Sequence, residues 1–233
     1  LAECNKTSLK DFKVAIWSND ELAPVSKEIA QRCEEVGNKL NSVGTTVSFV
    51  AKPEHDFMKA EINYQLLLQS VMQSGLPEDE YQKIEKLASS LDKNDLSVDA
   101  ILAKGTVLSH RNWIRQNYAR EQIKISWSKF FEEWDVLICP QLATTAIEHD
   151  HRKISERTVM VDNQEQRYFQ QIFWPGLAVN AHLPSTVFPT GLSGDGMPIG
   201  LQVIGGAYED KTTIKFAELY EEEFKAFVVP NLD

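Results

Sequence analysis

Apolar and polar positions alternate in blocks along the chain. Phe12–Trp17 (FKVAIW) is a short run of apolar, β-branched and aromatic residues between polar flanks, and it predicts a strand. After Pro24 the apolar positions Val25, Ile29, Cys33, Val36, Leu40 and Val43 recur at intervals of three and four, the period of an amphipathic helix that ends at Gly44. Thr45–Val50 (TTVSFV) returns to strand character. Strand, helix and strand in close succession form a βαβ unit, so at least part of the sheet is parallel and needs helices on both faces.

From about Glu54 to Trp134 the pattern is helical and polar on its outer faces, broken once at Gly75-Leu76-Pro77. Pro77 and the acidic run Glu78, Asp79, Glu80 open a new helix, where proline and carboxylates suit the first turn. Val107, Ile114, Tyr118, Ile123, Trp127, Phe130 and Trp134 predict a long helix or two in line, with these side chains as core. Asp135–Cys139 (DVLIC) reads as a buried strand stopped by Pro140. A loop region rich in His, Arg, Asn and Gln follows, then a helical turn at Tyr168–Trp174.

Ser185–Thr190 and Ile199–Ile204 are two further strands, and Asp195-Gly196 between them is a hairpin signal. Asp210 is expected to cap the last helix, with Ile214, Ala217, Tyr220 and Phe224 on its buried side. The fold class is therefore α/β, a mixed and mostly parallel sheet flanked by helices on both faces. The expectation is a single domain over 1–233 with a helical middle section at about 54–134.

Composition narrows the partners. A net charge of −10 argues against nucleic acid and anionic membrane surfaces. No apolar run approaches the roughly 18–20 residues that cross a bilayer, and no basic-then-apolar segment opens the chain. Cys4, Cys33 and Cys139 lie far apart without C-x-x-C spacing, which favours free thiols in a reducing compartment and a cytoplasmic location. The first residue is Leu1, as in a processed, trimmed or partial chain.

Few residues qualify for chemistry. Gly191, Gly194 and Gly196 do not follow the dinucleotide spacing and lead through Met197-Pro198 into a strand. A phosphate loop needs a helix N-terminus, so these glycines read as a turn. His149-Asp150-His151, after Glu148, is the one compact cluster of metal-type ligands, yet it lies in loop sequence without further ligands at a known spacing and reads as solvated. His55, His110 and His182 are isolated. Cys139, at a strand end, reads as a small buried hydrophobe rather than a nucleophile. No G-x-S-x-G turn is present, and Ser89-Ser90 lies in ordinary helical sequence. These residues supply no catalytic constellation, and no metal or cofactor is expected.

Several short motifs nevertheless stand in a telling order. FFEEWDVLICP resembles the Asp-Val-Leu-x-x-Pro element of the amidase signature family. NAHLPSTVFPTGLSGDG resembles that family's Gly-Leu-Pro, strand, Pro-x-Gly sequence, and MPIGLQVIGGAYED its Leu-Pro-x-Gly-Leu-Gln-x-Ile-Gly element. The match is specific from Phe130 to Phe224, and LKDFKVAIW resembles the family more loosely. His182 stands where the family has glycine.

The resemblance implies hydrolysis of carbon–nitrogen bonds by acyl transfer to a serine, activated through a second serine in a cis peptide and a lysine, with an oxyanion held by backbone amides. Those groups lie in the N-terminal half of family members, and this sequence has no Gly-Gly-Ser-Ser-Gly run. The expectation is a C-terminal portion of an amidase, inactive alone, that completes the sheet and lines part of the pocket for a small-molecule amide substrate. Gln141, Leu142, Phe173 and Trp174 are the expected substrate-binding contributors, suited to an apolar or aromatic group. The partners expected are the missing N-terminal catalytic half and, through apolar surface or strand edges that the half would cover, further copies in a homo-oligomer. The alternative is a non-catalytic binding or partner subunit derived from an amidase. An independent nucleotide binder is disfavoured by the lack of a phosphate loop.

Overall fold

A computed structural model describes residues 1–153 and 156–230. In chain order its elements are β1 (Lys13–Ile16), α1 (Lys27–Ser42), β2 (Thr46–Ser48), α2 (Phe57–Met72), α3 (Glu78–Ser90), α4 (Val98–Thr106) and α5 (His110–Glu133). There follow β3 (Val136–Pro140), β4 (Thr158–Val161), β5 (Gln164–Arg167), a 3₁₀ turn (Tyr168–Ile172), α6 (Phe173–Ala181), β6 (Ser185–Leu192), β7 (Pro198–Gly205) and α7 (Asp210–Phe224). Contacts divide the chain into a sheet unit, Leu1–Pro53 with Trp127–Asp233, and a helical unit, Glu54–Ser126.

The sheet unit carries five strands in the order β2-β1-β3-β7-β6. The expected βαβ unit is there: β1 and β2 run parallel, joined through α1. β3 adds parallel to β1, with Ala15 opposite Leu137. The β6–β7 hairpin then joins antiparallel, with Cys139 of β3 opposite Gln202 of β7 and Phe188 of β6 opposite Leu201. The sheet is thus mixed, parallel on one side of β3 and antiparallel on the other.

Because side chains alternate along a strand, Val14, Ile16, Val136, Ile138, Leu201 and Val203 share one face. They pack with Cys33, Val36 and Leu40 of α1 and Phe216, Leu219 and Tyr220 of α7 into one core. Phe216 sits edge-on to Phe12 at 5.3 Å and to Phe188 at 5.7 Å, a favoured aromatic geometry. Ala15, Leu137, Cys139, Gln202 and Ile204 point the other way and are buried as well. There the carbonyl of Trp174, at the start of α6, accepts from Gln202, so helices cover both faces.

Side chains of α1 also fix the β6–β7 hairpin. Arg32 donates to the carbonyls of Thr190 at 2.8 Å and Leu192 at 2.9 Å, while Glu28 accepts from the Gly194 amide at 2.7 Å. Gly196 takes a φ of +79° in the turn, which is the conformational reason for glycine after Asp195.

Four expectations need correction. Asp210 is the first residue of α7, not its cap; Glu209 holds that position and gives no side-chain cap bond. The buried stripe of α7 runs through Thr213, Phe216 and Tyr220, and Ile214 is 58% exposed. Apolar residues flank both choices of stripe, and the ring contacts of Phe216 settle the helix phase. Within the region read as loop, β4 and β5 pair as a hairpin through Asp162-Asn163, with Asp162 at φ +51°. Its strands are short and, in β5, wholly polar, so hydrophobic alternation gave no signal. In α5, Trp127 and Phe130 are buried as expected, but Tyr118 faces solvent.

His182 caps the C-terminus of α6 in the left-handed conformation, φ +55° and ψ +44°, with its amide directed at the carbonyls of Ala178 and Val179. That conformation favours glycine, because a Cβ meets the following carbonyl at a cost of about 1–2 kcal/mol. We expect His182→Gly to be more stable than His182→Ala by about 1 kcal/mol in urea denaturation, since both lose the imidazole and only alanine keeps the Cβ. Equal stabilities would refute the strain.

The helical unit is built on capped helices: Asp56 accepts from the Lys59 amide at the start of α2, and Ser97 from the Ala100 amide at the start of α4. α4 and α2 approach closely at Gly105, where an added Cβ would stand 2.7 Å from the Gln69 Cβ and 3.2 Å from the Leu66 backbone. Among the described residues no helix is long and apolar enough to cross a membrane.

Candidate functional site

In open α/β sheets the carboxyl ends of parallel strands leave free loops, and ligand sites concentrate there. In this chain β1 and β3 end side by side, and the segments 17–26, 140–143 and 166–174 converge on those ends. Trp17, one residue past β1, is buried and stands edge-on to Trp174 at 5.4 Å and to Phe173 at 6.3 Å. Phe173 and Trp174 stand edge-on to each other at 5.3 Å. The Trp174 indole N–H donates to the Ala23 carbonyl at 3.1 Å, and the Trp17 indole N–H to the Asn19 carbonyl at 2.9 Å.

Carboxamides stitch the loops together. Gln166 donates to the Pro24 carbonyl at 2.8 Å, and Gln171 donates to the Gln166 Oε1 at 3.0 Å while its own Oε1 accepts from the Ala143 amide at 3.2 Å. Gln170 donates to the Leu22 carbonyl at 3.0 Å, and Ser26 donates its amide to the Ala143 carbonyl at 2.8 Å. Beneath them Gln202, 1% exposed, donates from one nitrogen to the carbonyls of Pro140 at 3.0 Å and Trp174 at 2.8 Å, and its Oε1 accepts from the Ser185 hydroxyl. Each of these polar groups placed in the dry interior thereby keeps a partner, which buried polar groups require.

Of the residues expected to bind substrate, the structure groups all four at this end of the sheet. Gln141 is half-buried and Leu142 is 48% exposed, so these two reach the surface. Phe173 and Trp174 are buried, packed edge-on to Trp17 and to each other, and present no open lining. Lys52 adds charge at the rim: its ammonium lies 4.3 Å from the Trp17 ring centre and 3.6 Å from the Asp20 carboxylate. Nothing in the sequence pattern points to Trp17, Asp20, Lys52, Gln166 or Gln171 as parts of one site. The one usable signal was a glutamine inside an apolar strand, as at Gln202, since a buried carboxamide implies a specific set of partners.

Cys139 is fully buried at the end of β3, and burial pushes its thiol well above the usual range, so it stays protonated and unreactive. His149 and His151 are exposed, their rings 6.2 Å apart, and Asp150 between them is held by the Arg152 guanidinium at 2.7 Å. The hydrogen bonds from Arg152, with its charge, lower the Asp150 carboxyl to about 2. Among the described residues no three or more His, Cys, Asp or Glu side chains are placed to hold a metal ion together.

A family model for amidases matches residues 1–214. The chain belongs to the amidase family. Among curated relatives, the A subunit of glutamyl-tRNA(Gln) amidotransferase from Thermodesulfovibrio yellowstonii is 24% identical over 231 residues, covering 92% of this chain and 45% of that protein. Its counterpart in Oceanobacillus iheyensis is 26% identical over 238 residues, covering 94% and 46%. Among solved structures, the A subunit of glutamyl-tRNA(Gln) amidotransferase from Thermotoga maritima superposes with a TM-score of 0.66 at 18% identity, over 97% of this chain and 46% of that one. A bacterial aryl acylamidase of the amidase signature family superposes with a TM-score of 0.64 at 18% identity, over 91% and 43%. The amidase chain thus spans about half the length of the curated relatives it matches. These likenesses bear out the mixed α/β fold of the amidase signature enzymes.

Proposed function

We propose that this chain supplies the C-terminal part of an amidase signature hydrolase, cleaving an amide bond of a small molecule by serine acyl transfer once the catalytic half is joined to it. One observation carries the reading: the amidase-like segment spans under half of its relatives, and it contains no glycine-flanked serine pair to act as nucleophile. Its role is then to extend the sheet and to brace the pocket. Gln141 and Leu142 present the surface, and the buried Phe173 and Trp174 brace the same end of the sheet through Trp17. β6 is an edge strand of eight residues with Val187 exposed, a surface that a further layer would cover. The three free cysteines suit a reducing compartment such as the cytoplasm.

On this reading the chain alone does not hydrolyse amides. Incubation with a serine-reactive fluorophosphonate probe is expected to leave it unlabelled, because an activated serine needs an adjacent base and an oxyanion cradle. Stoichiometric labelling at one serine would overturn the proposal.

A second reading, a non-catalytic partner subunit, draws on the same missing serine pair. The coding sequence upstream of Leu1 separates the two: a glycine-flanked serine pair in frame supports the hydrolase, and a start codon just before Leu1 supports the partner subunit.

A further inference from the structure

We infer that the helical unit carries a binding cleft for a small organic carboxylate with an apolar body. The cleft is an open groove of about 460 Å³ between the ends of α3, α4 and α5. That volume lies within the range of small-molecule sites, roughly 300–1,000 Å³. Its floor is apolar, from Leu66 of α2, Leu91 after α3 and Leu108 after α4. Its rim carries Lys93, Lys104, Asn112 and Gln116, and among the described residues no carboxylate lines it although the chain is strongly acidic.

The hydrogen bonds around the rim fix it as a set of donors. Asn63, 2% exposed, gives its Nδ2 to the Gln116 backbone carbonyl at 2.8 Å, which sets the orientation of the Asn63 amide. The same nitrogen donates to the Gln116 Oε1 at 2.9 Å, so the acceptor end of Gln116 is occupied and its Nε2 is the end left for a ligand. Asn112 is set in the same way: its Oδ1 accepts from Arg115, leaving Nδ2 as donor. Lys104 spends its ammonium on the carbonyls of Asp92, Lys93 and Asp95, beside the Asp95 carboxylate, which ties down the loop bearing Lys93 and leaves Lys93 as the available cation.

Ser109 caps α5, accepting from the Asn112 amide at 3.3 Å, so the positive end of a 24-residue helix faces the same cleft. One flexible ammonium and two planar amides over an apolar floor suit a monoanion with a hydrophobic body. A phosphate would call for a guanidinium fork or a glycine cradle.

The test is titration of the whole chain with benzoate, followed by amide NMR shifts and calorimetry, with benzamide and inorganic phosphate as comparisons. Benzoate is expected to bind one-to-one and saturably, shifting residues 104–116, and the neutral benzamide to bind at least roughly tenfold more weakly. Lys93→Gln, an exposed site, is expected to weaken benzoate about five- to tenfold. Gln116→Glu keeps the acceptor for Asn63 but replaces the donor by a carboxylate, and should abolish binding. Absence of saturation, equal binding of benzamide, tighter binding of phosphate, or benzoate affinity unchanged in both variants would each overturn the inference. Far-UV circular dichroism of both variants confirms that a loss of affinity is not a loss of fold.

Discussion

Trp174→Ala is expected to destabilise the sheet unit by roughly 3–5 kcal/mol, the range for removing a fully buried large aromatic. The indole is 0% exposed and lies edge-on to both Trp17 and Phe173, so its removal opens a cavity against two rings that cannot close over it. The Ala23 carbonyl loses its indole donor at the same time, which pulls on the loop before α1. Urea unfolding, followed by tryptophan fluorescence of the remaining indoles and by circular dichroism, measures the loss. At roughly 2–4 °C per kcal/mol for a chain of this size, thermal unfolding should fall on the order of 10 °C. Trp174→Phe keeps one aromatic ring but loses the donor and leaves a smaller gap, and is expected to cost less than alanine, about 2 kcal/mol. A loss under about 1 kcal/mol for Trp174→Ala would show that this wall is not part of the cooperative core.

Gln202→Leu follows with an expected loss of about 3 kcal/mol. Leucine fills similar space, but the carbonyls of Pro140 and Trp174 each lose a donor in the interior, at about 1–3 kcal/mol per stranded group, while the exposed Ser185 hydroxyl can turn to water. Gln202→Glu sharpens the test because it changes little but the donor. A carboxylate oxygen would face two carbonyl oxygens at the former hydrogen-bond distances, so it should cost at least as much as leucine and should be relieved at low pH, where the acid regains a proton to donate. A Glu variant as stable as wild type would refute the bonding pattern that joins β3, β6 and α6.

The two substitutions test one structural idea: the carboxyl ends of β1 and β3 are braced by an aromatic trio and a buried carboxamide, and only Gln141 and Leu142 reach the surface from the expected set. Position 182 belongs to the same region by chain continuity, since the left-handed cap there turns α6 into β6. The resemblance to the amidase signature family raised His182 as a departure; its φ of +55° explains why glycine suits the position.

How legible this was varied with the physics of each segment. The βαβ unit, the buried strand ending in Cys139, the β6–β7 hairpin and the helix opened by Pro77 lay in plain periodicity or turn chemistry, or both. The β4–β5 hairpin did not: TVMV and QEQR flank Asp162-Asn163, and a polar second strand leaves no alternation to read. The phase of α7 was also hidden, because Ile214 and Phe216 are both apolar and only the contact with Phe12 and Phe188 chooses between them.

Sequence by itself determined the α/β class, the parallel pairing of the first two strands and, through ordered motifs from Phe130 to Phe224, the amidase family. These depend on local periods and on residues fixed in the chain. Tertiary structure alone decided that Trp17, Phe173 and Trp174 meet, and that Gln166, Gln171 and Gln202 tie together loops distant in sequence. It also decided that a donor-lined cleft forms at the start of α5. Those arrangements depend on which buried polar group finds which partner across the fold, and no one-dimensional period records that choice.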